Sequence, residues 1–233
     1  MINPFGFIVT VLYFKLSEFF RKYPPVSKVF SKFPPIVTAG TLLILTLEIF
    51  HIDFDKYYES ASYLTLCLIP ATIALGYPIY KNLELLKKYK RIIYTSFFIA
   101  TLVAIVGTYI ITTLCHTELS IIESMLPKSV TAPIAVEISK LSGGIPELTA
   151  CVVVLTGIFG AMFGHKILKL INVKSDIAVG LSIGAASHVI GTSKCVETQK
   201  EKQIVMASVA LVIVGILTAI IIPLFLYIIK YKY

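Results

Sequence analysis

Long uncharged runs separated by short charged stretches dominate this chain. Residues 92–115 and 203–229 contain no charged side chain. Each is long enough to cross a hydrocarbon core of about 30 Å, which takes about 20 helical residues. Residues 33–47, 60–80 and 148–164 are shorter or more interrupted apolar segments, and residues 1–14 are apolar as well. That first segment lacks a basic start and a small-residue cleavage site, so it reads as a first span or an interfacial helix ending in Lys15, Glu18, Arg21 and Lys22, not as a signal peptide. Two segments break the pattern with Pro, Gly, Ser and isolated polar side chains: residues 129–137 and 180–192. Helices interrupted in this way are tolerated at membrane depth only where they line a cavity or pack against protein. The expectation is an all-α, polytopic integral membrane protein of about six to eight spans, two of them broken or re-entrant.

Composition agrees. Apolar residues make up 57% of the 233 residues and charged ones 15%, which excludes a water-soluble enzyme. The net charge of +8 lies in loops and does not signal nucleic-acid binding, because no basic, aromatic-interleaved strand accompanies it. Basic loops hold Arg21, Lys22, Lys28 and Lys32; Lys81, Lys87, Lys88, Lys90 and Arg91; Lys166, Lys169 and Lys174; and Lys194, Lys200 and Lys202. The loop with Asp53, Asp55 and Glu59 is acidic, and the one with Glu118 and Glu123 is poor in Lys and Arg. The positive-inside rule makes the four basic loops cytoplasmic and the other two external. If every apolar segment of the second half crossed, residues 166–174 would lie outside. Letting the segments around Pro133 and His188 dip in and return on the same side keeps both later basic loops inside; helices crossing obliquely are the rival arrangement.

A faint internal repeat is present. Residues 71–76 resemble residues 186–191 in spacing, and Tyr77-Pro78 gives the first half a comparable break. Halves of residues 1–118 and 119–233, each with three true spans, would be inverted relative to one another, a common plan for transporters. Chance similarity among small apolar residues is the alternative.

The candidate chemistry sits in the two broken segments. Ser129 or Thr131 can cap a helix whose first turn contains Pro133, and Gly143-Gly144-Ile145-Pro146 ends it and begins another. A helix starting inside the membrane presents unpaired N–H groups and partial positive charge to an anion. Glu137, one turn further in, is a candidate for a coupled proton or a partner for Lys140. In the second segment Gly180, Gly184, Ser187 and Gly191 recur at three- and four-residue steps, a close-packing face, and His188 falls on the same face by helical period. Its imidazole can bond a substrate oxygen or shuttle a proton; equally, a lone histidine on an apolar helix is often just a bonded core residue. Thr192 follows one turn on. Gly157, Gly160 and Gly164 on the intervening helix read as a packing face. Cys67, Cys115, Cys151 and Cys195 form neither a metal-ligand spacing nor a disulfide framework. No metal or cofactor is implied, and no nucleophile–base pair suggests an enzyme.

The run Leu126-Pro-Lys-Ser-Val-Thr-Ala-Pro-Ile-Ala-Val-Glu-Ile-Ser139, then Gly143-Gly-Ile-Pro-Glu-Leu-Thr-Ala150, then Ser187-His-Val-Ile-Gly-Thr192 resembles the LrgB/CidB family of bacterial inner-membrane proteins, called antiholin-like or holin-like regulators of murein hydrolases. A plastid glycolate/glycerate transporter of plants carries a similar domain. The likeness covers nearly the whole chain as one transmembrane domain, residues 1–233. Departures are Ala132, where the family usually has a second Thr; His165, often Pro; and the stretch from Lys200, which lacks a small Gly-Ala step. The resemblance implies one of two functions in a multi-pass protein of the bacterial cytoplasmic membrane. The first is a secondary transporter, or subunit of one, for small monocarboxylates such as pyruvate, glycolate or glycerate, driven by an ion gradient. The second is an antiholin-like regulator of murein hydrolase activity and lysis. Either implies a small LrgA/CidA-type holin-like membrane partner and a homo- or hetero-oligomer. The broken helices favour the first, with Ser129, Thr131, Pro133, Ser187, His188 and Thr192 about the carboxylate and Glu137 or His188 carrying the proton.

Overall fold

A computed structural model describes residues 4–30, 33–67, 70, 73–74 and 76–231, and every regular element among them is helical. They pack as two units, residues 1–75 and 76–233.

The first unit holds α1 (Phe5–Lys22), α2 (Pro24–Phe30), α3 (Pro35–Ile49), α4 (Phe54–Ala61) and a 3-10 stretch over Ser62–Cys67. Pro24 and Pro35 begin their helices, where a missing N–H costs nothing. Asp53 caps α4, its Oδ1 accepting from the Asp55 N–H at 2.8 Å. The unit is joined along one face of α1, at Gly6, Thr10, Tyr13 and Ser17. The Gly6 N–H donates to Ser60 Oγ at 2.8 Å, and the Thr10 and Tyr57 hydroxyls meet at 2.7 Å. The Tyr13 hydroxyl meets that of Thr46 at 2.6 Å, and Ser17 donates to the Pro35 carbonyl at 2.9 Å. Where apolar surface meets apolar solvent, small residues and hydroxyls hold helices together better than bulk hydrophobicity does. Segment 60–80 is described only in part: residues 68, 69, 71, 72 and 75 lie outside the described residues, so its crossing and the likeness of 71–76 to 186–191 rest on sequence.

The second unit comprises α5 (Gly76–Lys81), α6 (Leu83–Lys88), α7 (Lys90–Leu114), α8 (Leu119–Met125), α9 (Ala132–Ser142), α10 (Pro146–Leu170), α11 (Asp176–Glu197) and α12 (Glu201–Tyr231). Among the described helices α7, α10 and α12 are long and apolar enough to cross a membrane, and α3 is a shorter apolar helix. These match the uncharged runs of the sequence to within a few residues.

α11 is one element by hydrogen bonding and two by shape. At 1.5 Å per residue a straight helix would hold Ile183 and Gly191 about 12 Å apart, and Val179 and Cys195 about 24 Å apart. Instead a Cβ on Gly191 would meet Ile183 Cγ2 at 3.1 Å, and Val179 and Cys195 share one buried cluster with Ile183 and Ala207. The break is at His188, whose φ of 40° and ψ of −137° are not helical. α11 therefore enters, turns at His188 and returns. Its two ends and the start of α12 are tied together: Asp176 Oδ1 accepts from Lys200 Nζ at 2.8 Å and Gln203 Nε2 at 2.7 Å, while Gln203 Oε1 accepts from Thr198 at 3.2 Å and pairs with His165 Nε2 at 3.3 Å. Both later basic loops thus lie at one end of the unit, as the dipping arrangement requires.

The segment before α10 is the counterpart from the other end. α9, about 16 Å long by its rise, carries the chain from the turns at 126–131 back to Gly143, where a Cβ would lie 2.8 Å from Glu123 Oε2. Gly143 adopts φ 98°, a left-handed cap that lets the chain leave α9 and start α10 at Pro146. Thr149 seals this corner, donating to the Ser124 carbonyl at 2.9 Å and lying 2.7 Å from Ser139 Oγ.

α11 lies between α10 and α12, and glycines set both contacts. A Cβ at Gly184 would strike the Ala207 backbone and one at Gly180 the Gln203 backbone, whereas Gly157, Gly160 and Gly164 of α10 face His188, Ser187 and Ile183. Gly184→Leu should therefore abolish cooperative folding or lower stability in detergent by about 3 kcal/mol or more, since backbone cannot yield to overpacking. Gly107→Leu, with open space around it, should leave the thermal midpoint unchanged or raised; scanning both by thermal unfolding makes the comparison.

Candidate functional site

The turn at His188 is held by its own side chain. A φ of 40° with ψ of −137° is the mirror image of extended backbone, accessible to glycine and strained for other residues. His188 is 3% exposed, and its Nε2–H donates to the Val153 carbonyl at 2.8 Å. The ring fills the space left by Gly157, where a Cβ would lie 2.6 Å from Cε1. The His188 carbonyl accepts from the Thr192 hydroxyl at 2.8 Å. Buried polar groups of the turn thus find partners within the protein. By helical period His188 belongs with Gly180 and Gly184, which face α12. The non-helical backbone swings it instead onto α10.

The two re-entrant segments meet beside the middle of α10. Val130 and Ala135 from one and Leu181 and Ala185 from the other share a buried core with Val153. Next to that core is a cavity of about 570 Å³ lined by α7, α10, α11 and the 128–129 turn. Lys128, Ser129 and Ser187 bring polar atoms to it, Ser96, Thr156 and Ser182 of the flanking helices add hydroxyls, and most of the remaining wall is apolar, including Phe97, Ala100 and Phe159. Ser187 is seated directly on Gly160, which admits no Cβ there. Among the described residues the Ser129 and Ser187 hydroxyls make no hydrogen bond to protein, and Lys128 makes no ion pair.

Of the site residues expected from sequence, Ser129 and Ser187 line the cavity, while Thr131, Pro133, Glu137, His188 and Thr192 do not. Thr131 occupies the N-cap position of α9 without a side-chain cap bond, and Pro133 is exposed in the first turn. Glu137 is exposed and ion-paired to Lys140 at 2.8 Å. His188 and Thr192 build the turn behind Ser187. Two residues were missed. Lys128 sits in the same Leu-Pro-Lys-Ser run, and a cation within an otherwise uncharged stretch is itself a functional signal. Glu123, which the sequence places in an external loop, is 3% exposed, and its contact with Gly143 lies in the corner that the glycine pair marks. Among the described residues no cluster of His, Cys, Asp or Glu could hold a metal ion.

The model of one known family, described as the LrgB-like family, matches residues 10–228. The chain belongs to the LrgB-like family. It is 32% identical over 222 residues, covering 95% of each chain, to proteins named antiholin-like protein LrgB from Bacillus mycoides (strain KBAB4), Bacillus cereus (strain B4264) and Bacillus anthracis (strain CDC 684 / NRRL 3495). No solved structure matches it. In this LrgB-like chain the family match embraces both re-entrant segments and the cavity between them, within a helical membrane protein.

Two measurements check the local chemistry. His188→Gly should destabilise the protein less than His188→Ala, by about 1 kcal/mol, because both lose the Val153 bond but only alanine keeps the strained backbone; thermal unfolding of the two variants gives the order. At the end of the unit, hydrogen bonds from Lys200 and Gln203 hold the Asp176 carboxyl below the usual carboxylate range. A depressed native pKa means stability that is present above the ordinary carboxylate pKa and is lost as pH falls through the lowered one. Asp176→Asn should remove that component, so its unfolding midpoint should depend less on pH below about pH 4 than that of the parent.

Proposed function

We propose that this chain is a carrier, or the solute-binding subunit of one, for small monocarboxylates in the bacterial cytoplasmic membrane. The observation that carries the reading is the meeting of Lys128 and Ser129, on one re-entrant segment, with Ser187, on the other, across a cavity beside the middle of α10. Segments entering from opposite ends and meeting at depth form the kind of site a solute can reach alternately from either side. A cation at that depth is stable when an anion accompanies it, and two hydroxyls supply further donors to a carboxylate. Pyruvate, glycolate and glycerate are the substrates the family resemblance suggests, and a proton gradient is the driving force in view. Glu137, exposed in its pair with Lys140, is poorly placed to carry the proton through the cavity. Binding and passage, not covalent catalysis, are the chemistry proposed.

A second reading is favoured by a specific finding: the curated relatives carry the name antiholin-like. On that reading the chain restrains a small holin-like membrane partner and so the access of murein hydrolases to the wall. The names support this reading more directly than they support transport. The cavity supports transport, since restraint of a partner needs spans and contact surfaces but no cation between re-entrant segments. Altered carboxylate flux that changes lysis would unite the two.

Uptake of labelled pyruvate and glycolate into proteoliposomes, with the chain alone and with a small holin-like partner, and with and without an inward proton gradient, separates them. Saturable uptake is expected, reduced about tenfold or more in Lys128→Gln by loss of a charge-assisted bond and reduced in Ser129→Ala, with insertion unchanged. His188→Ala should lose uptake through collapse of the turn behind Ser187. Absence of uptake in every combination of folded protein, together with altered murein hydrolase activity in cells, would establish the second reading instead.

A further inference from the structure

On the face of α7 turned away from the cavity lies a second concavity, a groove of about 1020 Å³ between α7 and α12 that α6 closes at one end. Polarity falls in order along it. Lys87 of α6 and Lys90 of α7 stand at its head, Tyr94 and Thr95 follow, and Phe98 and Ile99 lie furthest along α7; Ile213, Ile216 and Leu217 belong to the α12 wall. Lys90, Tyr94 and Phe98 recur at four-residue steps and so form one stripe, the aromatic rings standing about 6 Å and 12 Å along the helix from the lysine. The head of the groove is seated from within, because Leu86 and Tyr89 pack against the buried core of the unit. Lys88 lies over the Tyr89 ring at 5.6 Å and does not line the groove. Among the described residues Lys87 and Lys90 make no ion pair, and no acid lines the groove. Residues 81–91 carry five cations against one acid, Glu84, and the positive-inside rule sets that end at the cytoplasmic surface. Apolar walls alone specify nothing in a bilayer. Two unpaired cations at the head of a groove do, since they require an anion at the depth of the lipid phosphates and repel a cationic headgroup.

We infer that this groove is the site of one anionic phospholipid from the leaflet on that side. Its phosphate lies on Lys87 and Lys90, and its acyl chains run along Phe98, Ile99 and the α12 wall. The Thr95 hydroxyl already donates to the Arg91 carbonyl at 2.7 Å, which leaves the Tyr94 hydroxyl as the donor for an ester oxygen of the lipid. A zwitterionic lipid brings the same phosphate but carries its amine towards the two lysines, so it binds more weakly. A free phosphate ester gains the cations and none of the apolar wall. The opposite face of α7 supplies Ser96, Phe97 and Ala100 to the cavity, so a lipid bridging α7 and α12 steadies a helix that walls both.

The test is native mass spectrometry of the delipidated chain titrated with phosphatidylglycerol and phosphatidylcholine of identical acyl chains. Expected is one retained phosphatidylglycerol, bound about tenfold or more tighter than phosphatidylcholine. Lys87→Gln and Lys90→Gln should each weaken it about fivefold, the effect of one cation at an anionic surface. Lys81→Gln combined with Lys88→Gln, which removes two charges of the same segment outside the groove, should leave it unchanged. Ile216→Trp, which fills the apolar wall, should weaken both lipids, and glycerol phosphate at the same concentration should not compete. Thermal unfolding of each variant without lipid, expected at the parent midpoint, separates a lost site from a lost fold. Equal retention of the two lipids, or equal losses in the Lys81 and Lys88 pair, would show general solvation by lipid or unlocalised charge and overturn the site. Full competition by glycerol phosphate would make it a site for free phosphate esters and overturn the lipid assignment. Lipid retention unchanged in every groove variant, with association with a small holin-like partner lost, would give the groove to a protein instead.

Discussion

Backbone polar groups in hydrocarbon must be satisfied by protein, and this governs how the chain can turn at His188. An unpaired N–H or C=O at that depth costs several kcal/mol, so a re-entrant turn exists only where other helices enclose it. α10 and α12 do so on either side of α11. Their approach is close enough that side chains must be absent at Gly157, Gly160, Gly180 and Gly184. The Val153 carbonyl and the Thr192 hydroxyl then complete the bonding of the turn. Remove any of these and the backbone strain at His188 has nothing to hold it.

The same enclosure explains where the cavity lies. Two segments that turn back before crossing leave space where a full span would have continued, and α7 and α10 wall that space. Ser96, Thr156 and Ser182 reach it from the helices, and Lys128, Ser129 and Ser187 from the turns. Lys128 and Ser129 precede α9, and Ser187 precedes His188, so the residues nearest the strained backbone are those exposed to a solute. The strained turn thus places Ser187 on the cavity while its neighbours His188 and Thr192 are used up in holding it there.

Much of this was legible from residue pattern. Uncharged length located α7, α10 and α12, and the clustering of Lys in loops favoured a segment around His188 that returns to the side it entered over one that crosses obliquely. Pro133 and the Gly143-Gly144 pair marked α9 correctly, because a proline tolerated only near a helix start and a glycine free to adopt positive φ have local causes. His188 was singled out for the right segment and the wrong face: helical periodicity assumes continuous φ and ψ, and the residue is where continuity fails. Glu137 and Glu123 were exchanged in the reading of which is buried, since a short amphipathic helix beside a loop offers no long period from which to judge. Lys128 has no comparable helix-start signal, because Ser, Thr and Pro mark a helix start whereas the turn before α9 is what faces the cavity.

The brevity of the α11 limbs has a consequence for biogenesis. Neither limb approaches the length of apolar helix that holds itself in a bilayer, about 20 residues, and each exposes polar backbone at the turn until it is enclosed. α11 leaves the ribosome before α12, yet its Gly180–Gly184 face fits only against α12. Its entry into the membrane is therefore a late event that waits for the following helix, and α12 acts as the template on which the preceding segment is finally inserted.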